Sequence, residues 1–238
     1  LENPCHKMFK ELFLTNNISF KAISLDENGI VIDDLKKNNV NIAYVTPSHQ
    51  FPTGAIMSIS RRTELLNWAN ENSDRYIVED DYDSEFKYTG RPIPALKAND
   101  INDKVIYLGS FSKSISPAIR VSYLVLPKAL LNIYQRELPY FICPVPTLNQ
   151  KILYRFIKDG YFVKHINKMR TLYKKKREFL VNTIKTYSSK ILNKEIQIQG
   201  ADAGLHMVIK LNQKINEKLF LNECLENSLK LYSLEEYN

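Results

Sequence analysis

The spacing of apolar residues changes between two periods along the chain. Helical spacing, with apolar residues three and four positions apart, predicts helices over residues 4–16, 33–37, 60–70, 147–159 and 161–184. Short β-branched runs between them predict strands at residues 18–25, 41–45, 75–78, 104–108 and 120–126. Strands that alternate with helices are typical of a sheet covered by helices on both faces. We therefore expect a three-layer α/β fold.

The pattern changes at about residue 160. Ser60 is the expected N-cap of its helix, and Gly160 is the expected C-cap of the helix before it. Beyond the long helix, the pattern predicts strands at 195–199 and 205–211 and a helix at 217–228. We expect a large domain over residues 1–160. Residues 161–238 are expected to form a linking helix and part of a smaller α+β domain.

The composition is that of a folded globular protein. The 238 residues are 44% hydrophobic and 25% charged, which argues against disorder. No apolar run reaches the roughly 18 residues of a membrane-spanning helix, so no membrane contact is expected. Cys5, Cys143 and Cys224 are few and far apart, which favours a reducing cytoplasm over a disulfide framework. The ends, at Leu1 and Asn238, resemble the interior of a longer protein.

The chain carries a formal net charge of +7, from 33 basic and 26 acidic residues. Much of the excess lies at residues 164–177, within the long predicted helix. A basic excess is compatible with an anionic partner such as nucleic acid, but no motif that reads nucleic acid accompanies it. We therefore expect a solvated helix face and no direct nucleic-acid contact from this chain.

Polar loops follow three of the predicted strands directly, and ligands of α/β sheets bind beyond the strand ends. One of these loops holds Lys113 among small hydroxyl residues. A lysine there can contact a phosphate or form a Schiff base with an aldehyde, although a surface lysine is the simpler interpretation. Ser110, Ser112 and Arg120 supply hydroxyls and a guanidinium that suit a phosphate group, or else an ordinary capped turn.

The loop after residues 75–78 is acidic and holds Asp80 and Tyr82. A carboxylate at a strand end can form an ion pair, or it can pair with a protonated pyridine nitrogen such as that of pyridoxal phosphate. The Tyr82 hydroxyl can donate to the phenolic oxygen of the same ring. A solvated loop or a divalent-metal site are the alternatives, but the carboxylate spacing fits calcium poorly. The four histidines are scattered without metal-ligand spacing, so no metal is expected.

Five segments together resemble the fold-type I pyridoxal-phosphate proteins of the aminotransferase superfamily. More narrowly, they resemble the aminotransferase-like domain of the MocR/GabR regulators, a branch of the GntR transcription regulators. The segments are residues 44–54, 77–86, 109–120, 165–173 and 203–206. The resemblance covers nearly the whole chain, and it implies pyridoxal 5'-phosphate as the cofactor.

The resemblance also implies a role for each candidate residue. Lys113 would be the catalytic residue that forms the internal aldimine. Asp80 would pair with the pyridine nitrogen, and Tyr82 would contact the phenolic oxygen of the ring. The phosphate would be held by Ser110, Ser112 and Arg120.

Some positions depart from the family pattern. Phe51 stands where many aminotransferases have an asparagine that contacts the phenolic oxygen. The regulator branch likewise has an aromatic residue at this position. This removes one hydrogen bond and leaves more of the tuning of the ring to Tyr82. His49 and Gln50, next to Phe51, are expected either to line the pocket or to hold the loop.

The ends of the chain depart from the pattern as well. Family members carry a glycine-rich segment and a ring-stacking residue upstream of the position that matches Leu1. Relatives that bind amino-acid carboxylates use a C-terminal arginine, and Glu235 and Glu236 stand near that position here. Either the alignment is shifted at this point, or the ligand is not a carboxylate bound in that way.

Two functions of different classes follow from the resemblance. In the first, the domain binds an amine or amino acid effector as an external aldimine and passes a conformational shift to a DNA-binding domain outside this chain. In the second, the chain is a class I/II aminotransferase that completes both half-reactions on an amino acid. A third possibility is a segment that folds without binding cofactor. The family further implies a homodimer, and symmetric closure is also the commonest form of assembly.

Overall fold

The computed structural model describes residues 1–91, 93–188, 196–211 and 215–237. Its strands are β1 (Glu2–Asn3), β2 (Ile23–Asp26), β3 (Gly29–Ile30), β4 (Ile42–Val45), β5 (Tyr76–Asp81), β6 (Val105–Ser110), β7 (Ser122–Val125), β8 (Gln197–Gln199) and β9 (Val208–Lys210). Its α-helices are α1 (Lys7–Thr15), α2 (Ile32–Lys37), α3 (Ile59–Asn70), α4 (Phe111–Ser114), α5 (Lys128–Glu137), α6 (Thr147–Lys158), α7 (Tyr161–Tyr187) and α8 (Glu217–Glu226). Short 3-10 helices cover Lys97–Asn99 and Leu234–Tyr237. Within the described ranges, no helix has the length and apolar content needed to cross a bilayer.

A four-stranded sheet in the order β4-β5-β6-β7 forms the centre of the fold. The first three strands are parallel, and β7 runs antiparallel to β6. In the register between β5 and β6, Asp80 lies beside Leu108 and Asp81 beside Gly109. Parallel strands end at the same edge of a sheet, so the loops after β4, β5 and β6 emerge together there.

Helix α3 covers one face of this sheet. Its residues Leu65 and Trp68 pack in one buried cluster with Val45, Ile77 and Val105 of the strands. Burial of each large apolar side chain contributes about 1.5–3 kcal/mol relative to exposure. This cluster is the main core of the molecule.

Helix α1 covers the opposite face. Its residues Phe9 and Phe13, four positions apart on one side of the helix, pack against the cluster that contains Tyr44, together with Val78 and Leu108. Helices therefore cover both faces of the sheet, which confirms the predicted three-layer α/β fold.

Two smaller sheets lie outside the central one. β1 pairs in parallel with β2, and β2 forms a hairpin with β3. In the hairpin turn, the Asn28 N–H donates to the Asp26 carboxylate at 2.8 Å, and Gly29 has a φ of +101°, which glycine adopts without strain. β8 pairs antiparallel with β9, and a backbone bridge between Lys87 and Ala203 joins this region to the loop after β5.

Helix α7 is the long helix that the apolar spacing predicts. It begins directly after Gly160, whose φ is +76°. Arg170 Nε donates to the Glu85 carbonyl at 2.8 Å, and Arg177 Nε donates to the Ala201 carbonyl at 2.6 Å. Two arginines of the basic run thus tie α7 to the rest of the fold, while the lysines of the run are exposed.

Several predicted boundaries are wrong. The N-cap of α3 is Ser58, whose hydroxyl accepts the Arg61 N–H at 3.3 Å, and Ser60 lies inside the helix. The strand expected over residues 18–25 is limited to β2. Asp159 is the C-cap of α6, and the left-handed Gly160 follows it.

Two further differences concern strand β5 and helix α5. β5 continues past Val78 to Asp81, because Glu79 and Asp81 are buried and hydrogen-bonded on one face of the sheet. Helix α5 was not predicted, although its apolar residues have helical spacing. The start of the strand expected at 195–199 falls on Glu195, outside the described residues.

Candidate functional site

The polar loops after β4, β5 and β6 lie at the same edge of the sheet. The Tyr82 hydroxyl, after β5, donates to the backbone carbonyl of His49, after β4, at 2.6 Å. Between the same two loops, His49 Nδ1 lies 3.1 Å from Asp83 Oδ2. The β5–β6 register brings the loop that contains Lys113 beside them. Folding therefore brings together the three loops in which the sequence predicts chemistry.

Asp80 is held by Tyr44 of the neighbouring strand. The Tyr44 hydroxyl donates to Asp80 Oδ2 at 2.5 Å. Both side chains lie on the α1 face, because Tyr44 is in register with Val78, two residues before Asp80. Burial raises the pKa of the Asp80 carboxyl, and the bond from Tyr44 opposes this. The second oxygen of Asp80 makes no hydrogen bond to a residue in the described ranges, so it is free to pair with a cationic group.

Lys113 projects from the short helix α4 at the end of β6. Ser110 caps this helix by accepting the Ser112 N–H at 3.1 Å, which leaves the hydroxyl hydrogen of Ser110 free to donate. His165 Nε2 of α7 lies 3.1 Å from the Ser114 carbonyl at the other end of α4. The Lys113 side chain is exposed, and it has no hydrogen bond or ion pair to any residue that the structure describes.

Arg120 lies in the turn before β7, with a φ of +49° that is uncommon for a non-glycine residue. A hydrogen bond of 3.0 Å from the Phe111 N–H to the Val121 carbonyl closes this turn onto α4. The pairing of Ser110 with Ser122 brings the same turn close to the serine hydroxyl. The exposed guanidinium and the hydroxyl together suit an oxyanion. A strained backbone of this kind is found more often at functional sites.

The hydroxyl of Tyr82 is engaged within the protein, through its bond to the His49 carbonyl. Burial, together with the charges of Asp83 and Asp80, raises the pKa of this phenol. The Tyr82 hydroxyl can donate to a cofactor oxygen only if it gives up its hydrogen bond to the His49 carbonyl. The assignment of Tyr82 to the phenolic oxygen stays a prediction.

A buried network centred on His49 was not anticipated from the sequence. Its Nδ1 faces Asp83, and its Nε2 lies 3.0 Å from the Gly200 carbonyl. Gly204 packs against the His49–Asp83 pair so closely that a Cβ there would overlap both side chains. The loop after β4 is thus bonded both to the loop after β5 and to the segment between β8 and β9.

Glu2 and Gln50 hold the base of the loop after β4. The Glu2 carboxylate accepts the Thr46 N–H at 3.1 Å and the Thr46 hydroxyl at 2.8 Å, and Gln50 Nε2 donates to the Pro4 carbonyl at 2.9 Å. Burial raises the pKa of Glu2 to about 7. Of the two roles considered for His49 and Gln50, their contacts favour holding the loop.

Phe51 lies in a cluster of aromatic rings. Its centroid is 5.1 Å from that of His6, 5.2 Å from that of His206 and 5.2 Å from that of Tyr237. Tyr237 belongs to the C-terminal 3-10 helix, so distant parts of the chain meet at this cluster. No local pattern in the sequence indicates this, because the contacts join residues far apart in the chain.

Folding also stacks His206 on His49, with ring centroids 4.2 Å apart. Together with Asp83, these histidines offer ligand atoms within 4.8 Å of one another. Both nitrogens of His49 already face partners, however, and Gly204 fills the space beside them. The three residues therefore form a hydrogen-bonded and stacked network, and they leave little space for an ion.

Residues 1–234 match the family described as aminotransferase class I and II. The chain belongs to this aminotransferase family. It is 38% identical over 231 residues to the uncharacterized HTH-type transcriptional regulator YdeL of Bacillus subtilis (strain 168), a match covering 97% of this chain and 49% of YdeL. It is 30% identical over 219 residues to the probable rhizopine catabolism regulatory protein MocR of Rhizobium meliloti, covering 92% of this chain and 43% of that protein. The chain thus spans about half the length of these curated relatives.

The fold has a solved counterpart among aminotransferases. The multiple substrate aminotransferase (MsAT) from Thermococcus profundus matches with a TM-score of 0.86 and 28% sequence identity, over 99% of this chain and 60% of that chain. Together with the regulator relatives, this confirms the resemblance to aminotransferase-like domains of the MocR type.

The aminotransferase family implies pyridoxal 5'-phosphate as the cofactor, and the chemistry of the residues at the sheet edge fits it. Lys113 offers the aldehyde an amine that is unpaired within the described ranges. Asp80 offers a carboxylate oxygen without a partner among the described residues for the ring nitrogen. Ser110, Ser112 and Arg120 offer donors for the phosphate.

Proposed function

We propose that this chain is the cofactor-binding, aminotransferase-like sensing domain of a MocR/GabR-type transcription regulator, and that its effector is an amine or amino acid. The main support is the 38% identity to the regulator YdeL over 97% of the chain. Further support is that the Lys113 amine and one carboxylate oxygen of Asp80 lie at the same sheet edge, and neither has a partner among the residues that the structure describes. In this proposal, DNA is bound by a part of the regulator outside these 238 residues.

Each residue of the site has a defined task in this proposal. Lys113 attaches the cofactor covalently, and Asp80, oriented by Tyr44, keeps a proton on the ring nitrogen. Bound pyridoxal phosphate supplies an electron sink for charge that develops next to the ligand nitrogen. The groups that bind the phosphate and fix the ring position are Ser110, Ser112 and Arg120.

The proposal also includes a domain arrangement and an assembly. Residues 1–160 form the large domain with the cofactor contacts, and residues 161–238 form the linking helix and part of the small domain. Two copies associate as a homodimer. The support for association is the apolar connector between α5 and α6, in which Tyr140 and Ile142 are 92% and 90% exposed.

A free-standing aminotransferase is the second candidate function. It is favoured by the similarity to the enzyme MsAT, at 28% identity and a TM-score of 0.86. Sensor and enzyme both need the amine of Lys113, so this lysine does not discriminate between them.

Ligand titration of the protein loaded with pyridoxal phosphate separates the two functions. A panel of amines and amino acids is added with a keto acid acceptor, while cofactor absorbance and new keto acid are followed. A sensor gives a saturable spectral change without sustained turnover, and an enzyme accumulates product. Before ligand is added, the absorbance of the covalent lysine adduct is expected in the control Lys151→Ala and not in Lys113→Ala. Failure of the wild-type protein to bind the cofactor would reject both functions.

A further inference from the structure

Helix α7 contacts the short helix that carries the candidate lysine. His165 Nε2 lies 3.1 Å from the Ser114 carbonyl, at the C-terminal end of α4. Three residues earlier, on the same face of α7, the Phe162 ring meets the Phe111 ring edge-on at a centroid distance of 5.8 Å. Residues 165–173 belong to the segments that resemble the family, yet none of them is among the residues assigned to the cofactor. The first turns of α7 are therefore placed to influence α4.

The hydrogen bond between His165 and Ser114 has a defined direction. A carbonyl oxygen can only accept, so His165 Nε2 carries the hydrogen and donates it. The His165 ring is itself held against Phe156 of α6, at a centroid distance of 6.1 Å. The donor and its orientation are thus supplied by α6 and α7 rather than by the central sheet.

Helix α4 depends on such outside contacts for its direction. It has only four residues, and the Ile115 N–H closes its single turn on the Phe111 carbonyl at 2.9 Å. The last carbonyls of a helix have no partner within it, and so short a helix is not stable alone. The Ser114 side chain is buried, which places the C-terminal end of α4 against the fold. The bond from His165 fixes that end.

The two ends of α4 are held by different contacts. At the N-terminal end, Ser110 caps the helix and the Phe111 N–H donates to the Val121 carbonyl at 3.0 Å. This end adjoins the proposed phosphate contacts. Lys113 lies near the other end, one residue before the carbonyl that His165 holds. Loss of the His165 bond should therefore disturb the lysine more than the phosphate contacts.

We propose that His165 is a positioning residue for Lys113, and that its bond to the Ser114 carbonyl sets the direction from which the lysine amine reaches the cofactor aldehyde. This inference rests on the proposed function, since it assumes that Lys113 attaches the cofactor. In that step the neutral lysine nitrogen forms a double bond to the aldehyde carbon, and the aldehyde oxygen leaves as water with the two amine hydrogens. A displacement of about 1 Å at a reacting group can slow a reaction roughly 100-fold.

The kinetics of cofactor attachment test this role. Growth of the lysine-adduct absorbance is followed at increasing concentrations of pyridoxal phosphate, which gives a limiting rate of bond formation and a half-saturating concentration for binding. His165→Phe keeps a ring but cannot donate. We expect its limiting rate to be about ten-fold lower, and its half-saturating concentration to stay within about two-fold of the wild type. His165→Gln, whose amide nitrogen can donate to the same carbonyl, should recover most of the lost rate.

Arg170→Ala is the matched control. It removes a bond of 2.8 Å from α7 to a different backbone carbonyl, that of Glu85 in the loop after β5. We expect the limiting rate of the wild type in this variant, together with a lower thermal unfolding midpoint.

An unchanged limiting rate in His165→Phe would overturn the inference. So would an equal fall in Arg170→Ala, or a rise in the half-saturating concentration as large as the fall in rate. Attachment is confirmed in every variant by reduction with borohydride. Attachment at the normal rate in His165→Phe refutes only the role of His165, whereas no attachment in the wild type refutes the proposed function and this inference with it.

Nitrogen NMR gives a second readout on the wild-type protein. With 15N-labelled histidine, the signal of His165 is assigned through the backbone resonances of α7. We expect its Nε2 to carry a hydrogen in the cofactor-free protein, and its resonance to shift when pyridoxal phosphate is attached. Pyridoxine 5'-phosphate, which has the same ring and phosphate but no aldehyde, should leave the resonance in place. An unprotonated Nε2, or equal shifts with both compounds, would contradict the assignment.

Discussion

The carboxylate of Asp80 is oriented by a residue on the next strand. Tyr44 and Asp80 share the α1 face of the sheet, and the hydroxyl of Tyr44 donates to one carboxylate oxygen. The phenol remains protonated, because burial and the charge of Asp80 raise its pKa. Tyr44 therefore acts as a permanent donor that leaves the other oxygen of Asp80 available.

Tyr44→Phe removes this donor and keeps the ring. We predict roughly ten-fold weaker binding of pyridoxal phosphate, since a hydrogen bond to a charged group contributes about 1.5–3 kcal/mol and part of that stabilises the oriented carboxylate. Fluorescence titration with the cofactor measures this change. Tyr76→Phe, at the opposite end of β5, is the control and should bind normally. Equal affinity of the two variants would show that Tyr44 does not position Asp80.

The buried environment of Glu2 should have a measurable effect on how the stability of the protein depends on pH. Its pKa is raised by burial from 4.5 to about 7. Between those two pH values, the folded protein keeps a proton that the unfolded chain has lost. Stability contributed by this group is therefore highest at low pH and falls as pH rises towards 7.

Glu2→Gln should abolish this fall. Relative to the wild type, the variant should gain up to about 3 kcal/mol of unfolding free energy between pH 5 and pH 8, at 1.36 kcal/mol per pKa unit. Urea unfolding at both pH values measures the gain. The exposed Glu11→Gln serves as the control and should track the wild type. Parallel pH profiles for Glu2→Gln and the wild type would contradict the shift.

At the scale of elements, the segment between β8 and β9 is locked onto the loops after β4 and β5. Gly204 makes this possible, because its φ is +65° and its missing side chain leaves room for the His49–Asp83 pair. The Gly200 carbonyl adds the contact to His49 Nε2. The small residues of this segment thus determine how closely the loops approach.

Gly204→Ala should destabilise the fold severely. A left-handed alanine costs about 1–2 kcal/mol, and the overlap with His49 adds to this. Gly160→Ala is a matched control, since Gly160 has a φ of +76° but, apart from its chain neighbours, no described residue has an atom within 4 Å of the place that an alanine methyl would occupy. We expect Gly204→Ala to lose at least about 2 kcal/mol more unfolding free energy than Gly160→Ala. Equal losses in thermal or urea unfolding would show that the packing at Gly204 is unimportant.

The elements that sequence patterns predict are those with local signals. The spacing of apolar residues predicts α7, and β-branched runs predict β4, β5 and β6. The N-cap of α3 is less certain from sequence, because Ser58 and Ser60 both satisfy the local rule and only the backbone decides which hydroxyl reaches Arg61. The sequence therefore predicts the existence of a helix or strand better than it predicts the residue at which that element begins or ends.

In the candidate site, too, some features follow from local sequence patterns and others do not. Lys113 and Asp80 are predictable because each follows a β-branched run, and strand ends are where α/β sheets bind ligands. The bond between Tyr44 and Asp80 depends on strand register, and the stacking of His206 on His49 joins residues 157 positions apart. Neither follows from a local pattern, because both depend on how elements distant in the chain pack.

At the scale of the whole molecule, apolar side chains are exposed both on β7 and on the connector between α5 and α6. The connector between α5 and α6 contributes Tyr140, Phe141 and Ile142, and every residue of β7 is exposed. Surfaces of this kind are typical of protein–protein contacts. They support the proposed homodimer.

Ile142→Asp should weaken the dimer, because a charge buried in an apolar contact is costly. Sedimentation velocity should report a dimer for the wild type and a shift to monomer for the variant. Ile101→Asp is the control, since Ile101 is 95% exposed in the loop before β6 and lies far along the chain from the connector. A monomeric wild type, or the same behaviour of both variants, would contradict this assembly.

The most direct measurement locates the covalent bond between the protein and its cofactor. The protein is loaded with pyridoxal phosphate, reduced with borohydride, digested and mapped by mass spectrometry, with Lys113→Ala and Lys151→Ala alongside. We predict a cofactor adduct on Lys113 in the wild type and in Lys151→Ala, and none in Lys113→Ala. A stoichiometric adduct on another lysine, with Lys113 unmodified, would contradict the assignment of the site.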